Sequence, residues 1–258
     1  MRPRREKELV VLQGAVIRHI SDQAKNIFLN VRDNSLIKTD EHSAGCFDKQ
    51  REKLSPIKDA LHLCIRIIFS NLPEDSHMLC IGAGTGSELL YLAEAFPKWH
   101  FTAVDPSKDM LSQCRQRVKD HGYDTRCSFY TADLESFSAT ERYDAATSIL
   151  VSHYTGDLKD REKYFSKISS LLKPDAILVN ADLSSDISAG NFEKLLEEWG
   201  KMQRYSGMSV NLDSFRKTTT IAPRSEIERI LQSCGFTAPT LFFQNLFIYA
   251  WFSCMESH

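Results

Sequence analysis

The chain has 258 residues, a formal net charge of −2, 42% hydrophobic and 26% charged residues. That balance suits a globular protein with one large or two small cores, and it excludes a global field drawing the chain to nucleic acid or anionic membrane. No apolar run approaches the ~20 residues needed to cross a bilayer, and the basic start Met1-Arg2-Pro3-Arg4-Arg5 leads into no signal-peptide core.

Residues 1–55 carry a mixed helical pattern (Leu9, Val10, Leu12, Val16, Ile17, Ile20) and then polar residues, which suggests an N-terminal helical extension or lid. From residue 56 onward a single domain is expected. The strands predicted in it are Met78–Ile81, His100–Val104, Thr125–Tyr130, Tyr143–Ile149, Ala176–Ala181, Pro239–Phe243 and Phe247–Ser253. Helices are predicted over Ser87–Phe96, Ser107–Gly122 and Asp160–Leu172, with Pro106 just inside the second start and Gly122 near its end. The alternation points to an α/β fold, a doubly wound and mainly parallel seven-stranded sheet. The turn around Gln244-Asn245 is too short for a crossover, so the sheet closes with an antiparallel hairpin. An insertion at about 186–220, including a helical stretch Phe192–Arg204, breaks the alternation and is placed over the sheet's carboxyl edge or against its side.

Cysteine usage points to a reducing, cytoplasmic compartment. The seven cysteines (46, 64, 80, 114, 127, 234, 254) form no Cys-x-x-Cys pair, and the eight histidines show no ligand spacing, so no metal site is expected.

The most chemically pointed stretch is Ile81-Gly82-Ala83-Gly84-Thr85-Gly86-Ser87, where an apolar run meets three alternate glycines and then a helix start. Glycines permit positive φ and a close ligand approach, and the first helical N–H groups lack internal partners. A nucleotide-like ligand follows. The dinucleotide fingerprint wants its third glycine one residue later, where this chain has Ser87. Asp105 ends the next strand 23 residues after Gly82, where a carboxylate can accept both hydroxyls of a ribose; Asp133 ends the strand after that, within reach of an adenine amino group.

With these residues in order, the chain resembles class I S-adenosylmethionine-dependent methyltransferases over roughly residues 56–254. Ile81, Gly82, Ala83, Gly84 and Gly86 resemble the loop contacting the cofactor's methionine part, and Val104-Asp105 the ribose motif. Ala132-Asp133-Leu134 resembles the adenine motif, and Leu171-Leu172-Lys173-Pro174-Asp175 a Leu-x-Pro-Gly turn with aspartate for glycine. The resemblance implies S-adenosyl-L-methionine as cofactor, held by the loop residues with Asp105, Pro106, Met110, Asp133, Leu134 and Ser148.

The loop after the fourth strand, Ser148-Ile149-Leu150-Val151-Ser152-His153-Tyr154, borders the transferring methyl in that family. His153 is a candidate base or hydrogen-bond donor and Tyr154 a companion or pocket wall, packing against the next helix being the alternative for both. No Pro-Pro occurs there, which argues against transfer to nucleobase amino groups and for a small-molecule acceptor. Scattered matches (Phe47-Asp48, Cys114-Arg115, Gly235-Phe236, Leu241-Phe242-Phe243-Gln244-Asn245) also resemble the carboxy-S-adenosylmethionine synthase family. That resemblance implies an alternative, cofactor carboxylation, with Arg216 as the candidate for an acidic substrate group. A non-catalytic cofactor-binding subunit is the other alternative. Phe192, Trp199, Tyr205, Phe215 and Phe242 are offered as apolar lining of an acceptor pocket or as helical core. Oligomeric state is left open, a homodimer being compatible.

Overall fold

The computed structural model describes residues 52–257, apart from residues 209, 213, 214 and 216–218. The expected N-terminal extension and Arg216 lie outside the described residues. In chain order the elements are α1 (Ser55–Phe69), β1 (His77–Ile81), α2 (Ser87–Ala95), β2 (His100–Val104), α3 (Lys108–Asp120), β3 (Cys127–Tyr130) and β4 (Tyr143–Ile149). There follow α4 (Leu158–Leu171), β5 (Leu172–Leu183), α5 (Phe192–Tyr205), α6 (Arg224–Ser233), β6 (Thr240–Asn245) and β7 (Ile248–Cys254).

The seven strands run in the order β3-β2-β1-β4-β5-β7-β6. β1 to β5 pair in parallel, and β7 joins β5 and β6 antiparallel. The expected doubly wound sheet with a closing hairpin is therefore the observed one.

Both faces of the sheet are apolar because helices cover both. Ile65 and Phe69 of α1, Leu89 and Leu92 of α2, and Leu111, Cys114 and Val118 of α3 bury one face with Met78, Cys80 and Ala103. Phe165 and Ile168 of α4 and Ile227 and Ile230 of α6 bury the other with Leu79, Ile81 and Trp251. Each fully buried side chain of this size contributes about 1.5–3 kcal/mol. A third cluster gathers Leu183, Phe192, Leu196, Trp199, Phe247 and Ile248 around α5 and the β5 and β7 ends. Phe192 and Trp199 are thus core, whereas Tyr205 is exposed.

Several boundaries differ from expectation. Helices α1 and α6 are not among the predicted elements. Asp124–Arg126 form a 3-10 turn that takes the first two residues of the strand expected over Thr125–Tyr130. There the Arg126 guanidinium turns away to donate to Ala93 O (2.6 Å), Trp99 O (3.0 Å) and Phe96 O (3.1 Å), closing the carboxyl end of α2. Pro106 lies before α3 and not inside it. Ser107 is the N-cap, its hydroxyl accepting from Met110 N.

Strand β5 also starts earlier than predicted. Leu172 pairs with Tyr143, and the register then jumps to Ala145 opposite Ile177, so residues 173–176 bulge out opposite Asp144. Lys173 Nζ meets Asp144 Oδ1 at 2.8 Å across that bulge. Asp175 adopts φ 62, the left-handed region that favours glycine. An aspartate tolerates it better than most residues, and here Ser257 Oγ donates to its carboxylate at 2.6 Å.

Candidate functional site

The carboxyl ends of β1, β2 and β3 meet at one edge. Gly82, Gly84 and Gly86 all take positive φ (64, 55 and 82). At Gly84 an added Cβ would find nothing nearer than Gly82 O at 3.9 Å, so the missing side chain leaves open space above the backbone. At Gly86 it would lie 2.5 Å from Cys114 Sγ, so this glycine lets α2 start against α3. Arg117 of α3 steadies the loop, donating to Thr85 O at 3.0 Å and Thr85 Oγ1 at 3.2 Å.

Asp105 joins the three ends. Its Oδ2 accepts from Gly84 N (2.9 Å) and its Oδ1 from Ser107 N (2.8 Å), while its own backbone oxygen accepts from Ala132 N (3.3 Å). The carboxylate is 3% exposed. Each oxygen accepts from one backbone N–H, so the carboxylate ties the glycine loop to the start of α3. Asp133 stands exposed just beyond β3, and Leu134 and Ile81 are buried beneath. Pro106 and Met110 are half-buried at the β2 end. Ser148 is fully buried, its hydroxyl 2.8 Å from that of Tyr164, so its side chain packs between β4 and α4.

Glu88, in the first turn of α2, is a group the sequence reading passed over. Burial pushes its carboxyl up to about 7, the Thr147 hydroxyl on β4 opposing the shift, and Oε1 makes no hydrogen bond. A carboxyl whose folded value exceeds its unfolded one binds more protons when folded. Its favourable contribution is therefore complete below about 4.5 and is lost as pH rises to about 7. We expect wild-type stability to fall by about 3 kcal/mol over that range, and Glu88→Gln to flatten the curve in urea titrations at stepped pH. Parallel curves for the two proteins would refute this assignment.

The carboxyl ends of β4 and β5 carry the second half of the site. His153 lies in a 3-10 turn after β4, is 2% exposed, and packs its ring 4.2 Å from that of Tyr154. Its Nδ1 is 2.9 Å from Asp182 Oδ1, on β5. Asp182 also accepts from Leu183 N at 2.8 Å and from the Ser152 hydroxyl, and its Oδ2 lies 3.4 Å from Arg161 Nη1. Burial alone would push the Asp182 carboxyl up; Arg161, His153 and Ser152 together outweigh it and hold the carboxyl below the ordinary range. An ionised carboxylate on Nδ1 makes that nitrogen the donor, and in a neutral ring Nε2 is then the acceptor. Sequence reading had His153 but not its partner. The available signal was Ala181-Asp182-Leu183, an acid at the carboxyl end of a strand like Asp105 and Asp133.

Among the described residues no group of three or more His, Cys, Asp or Glu can hold a metal ion. None of their helices is long and apolar enough to cross a membrane.

A glycine loop and two acids at adjacent strand ends of a doubly wound sheet suit a nucleoside-containing ligand. Comparison with known proteins narrows this. Residues 79–178 match a family model described as a methyltransferase domain. Over 163 residues the chain is 26% identical to (S)-tetrahydroprotoberberine N-methyltransferase of Eschscholzia californica, covering 62% of this chain and 45% of that protein. Over 147 residues it is 24% identical to carboxy-S-adenosyl-L-methionine synthase of Nautilia profundicola, covering 55% and 60%. The chain thus matches less than two thirds of these relatives' length. The fold resembles that of the N-methyltransferase NodS from Bradyrhizobium japonicum, solved with S-adenosyl-L-homocysteine, at TM-score 0.55 and 17% identity, covering 78% of this chain and 89% of that one. Over residues 79–178 the chain thus resembles methyltransferases, and its fold is that of proteins such as NodS that bind S-adenosyl-L-methionine or its product. Features that suit such a group are the open space above Gly84, a buried carboxylate tying the loop to the end of β2, and an exposed acid beyond β3.

Proposed function

We propose that the protein transfers a methyl group from S-adenosylmethionine to a small-molecule acceptor, with His153 as general base. The observation that carries this reading is the buried Asp182–His153 pair at the edge that also holds the glycine loop. When bound, the cofactor supplies an electrophilic methyl group on a positively charged sulfur. In this reading Ile81, Gly82, Ala83, Gly84 and Gly86 receive its methionine part, and Asp105, flanked by Pro106 and Met110, its ribose. Asp133 and Leu134 receive the adenine. Ser148 is left to the packing of β4 on α4.

The chain's own task is alignment, exclusion of water and proton removal. Asp182 orients the His153 ring, and Nε2 takes the proton that a hydroxyl or ammonium acceptor must lose. Tyr154 forms the wall beside it. Three features support a small acceptor: a formal net charge of −2, no Pro-Pro in the loop after β4, and a half-buried Tyr154 beside a nearly enclosed histidine.

The test is release of S-adenosylhomocysteine with a panel of small phenols, amines and carboxylic acids, wild type beside His153→Ala. Loss of turnover by about 100-fold or more, with cofactor affinity by calorimetry changed less than about twofold, is the expected result. An equal loss of both would place His153 in the pocket wall.

A further inference from the structure

Arg161 is fully buried on α4, and its hydrogen bonding is incomplete. Nη2 donates to Thr220 O at 2.6 Å and Nη1 lies 3.4 Å from Asp182 Oδ2, while Nε and Nη1 make no hydrogen bond. Thr220 N in turn donates to His153 O at 3.1 Å. The guanidinium thus touches both supports of the histidine, the carboxylate on its ring and the backbone that holds its carbonyl.

Burying a cation with unused donors is costly, and an apolar side chain of similar volume often serves stability as well or better. Fastening Thr220 O alone would not call for a charge either. We infer that Arg161 is a positioning residue for the base: its charge shares the Asp182 carboxylate with His153, so that less of the carboxylate's charge falls on the ring that the carboxylate orients. The inference rests on the reading of His153 as base. Among the described residues, the charged groups facing the ring are Asp182 from β5 and, through it, Arg161 from α4; Ser152 and Tyr154 flank it from its own turn.

The sign follows from Coulomb's law. Without the guanidinium the whole carboxylate charge acts on the imidazole, which stabilises its protonated form. Nε2 then stays protonated to higher pH.

Imidazole NMR of the full chain reads this without acceptor or cofactor, His153→Gln assigning the resonance among the eight histidines. In the wild type, nitrogen shifts should show the Nδ1-protonated neutral tautomer. The His153 titration midpoint should rise by about one pH unit in Arg161→Gln and by less than about 0.3 in Arg161→Lys, which keeps the charge. An Nε2-protonated wild type, an Arg161→Gln midpoint that stays or falls, or equal shifts in both variants would overturn the inference. If Arg161→Gln does not fold, Arg161→Met, an uncharged side chain of similar length, takes its place: its midpoint should rise by about one pH unit, and one that stays or falls overturns the inference. The two readings fail separately. A His153→Ala protein that methylates at the full rate ends the base assignment whatever the NMR shows, and an unmoved midpoint ends the role of Arg161 while leaving His153 as base.

Discussion

Replacing Asp182 with alanine is expected to cost about 3–5 kcal/mol of folding stability, the usual penalty for removing one partner of a buried ion pair. The substitution leaves the fully buried Arg161 charge uncompensated. It also strands the Ser152 hydroxyl, Leu183 N and His153 Nδ1, which all donate to the same carboxylate. Urea unfolding monitored by the tryptophans measures the loss. Asp182→Asn should cost less, because it keeps the shape and one acceptor oxygen, yet it offers an amide that holds the His153 ring less firmly. A loss below about 1 kcal/mol for Asp182→Ala would mean that water replaces the carboxylate without penalty, contrary to the burial described above.

Asp105→Ala carries the second large effect. Two backbone N–H groups, Gly84 and Ser107, lose their acceptor, and with them the link between the glycine loop and the start of α3. The expected result is about a 10- to 100-fold weaker affinity for S-adenosylhomocysteine by calorimetry, which corresponds to about 1–3 kcal/mol of stranded hydrogen bonding. Asp105→Asn should fall between, since its amide retains one acceptor. Unchanged affinity in Asp105→Ala would restrict Asp105 to capping the loops, with no part in holding the ribose.

The sheet was legible because its strands are short apolar runs between glycine, proline and amphipathic segments. β2 and β4 match the predicted boundaries residue for residue. The antiparallel closure was legible from the length of one turn. α1 and α6 were missed although Leu61, Ile65 and Phe69, and Ile227, Ile230 and Leu231, recur at helical spacing: both lie outside the alternation of the first five strands. The early start of β5 was hidden for another reason: the strand is interrupted by a bulge whose existence depends on pairing with β4, a partner remote in sequence.

The cofactor half of the site follows the same logic. Gly82, Gly84, Gly86 and Asp105 are local signals, since each does its work within a few residues of a strand end. The half built around His153 is not local. Asp182 comes 29 residues later, Arg161 from the helix between them, and Thr220 from beyond α5. Nothing in the run Ser152-His153-Tyr154 says which carboxylate will meet the ring.

By itself, then, the sequence determined the alternation of strand and helix, the closing hairpin and the glycine-and-acid pattern at the strand ends. These are properties of short segments, set by periodicity and turn chemistry. Tertiary structure alone decided that His153 has a buried carboxylate on Nδ1, that Ser148 turns toward Tyr164, and that Phe192 and Trp199 are core. Each of those depends on the face and register a strand or helix takes against distant neighbours, and a shift of one residue along a strand reverses it.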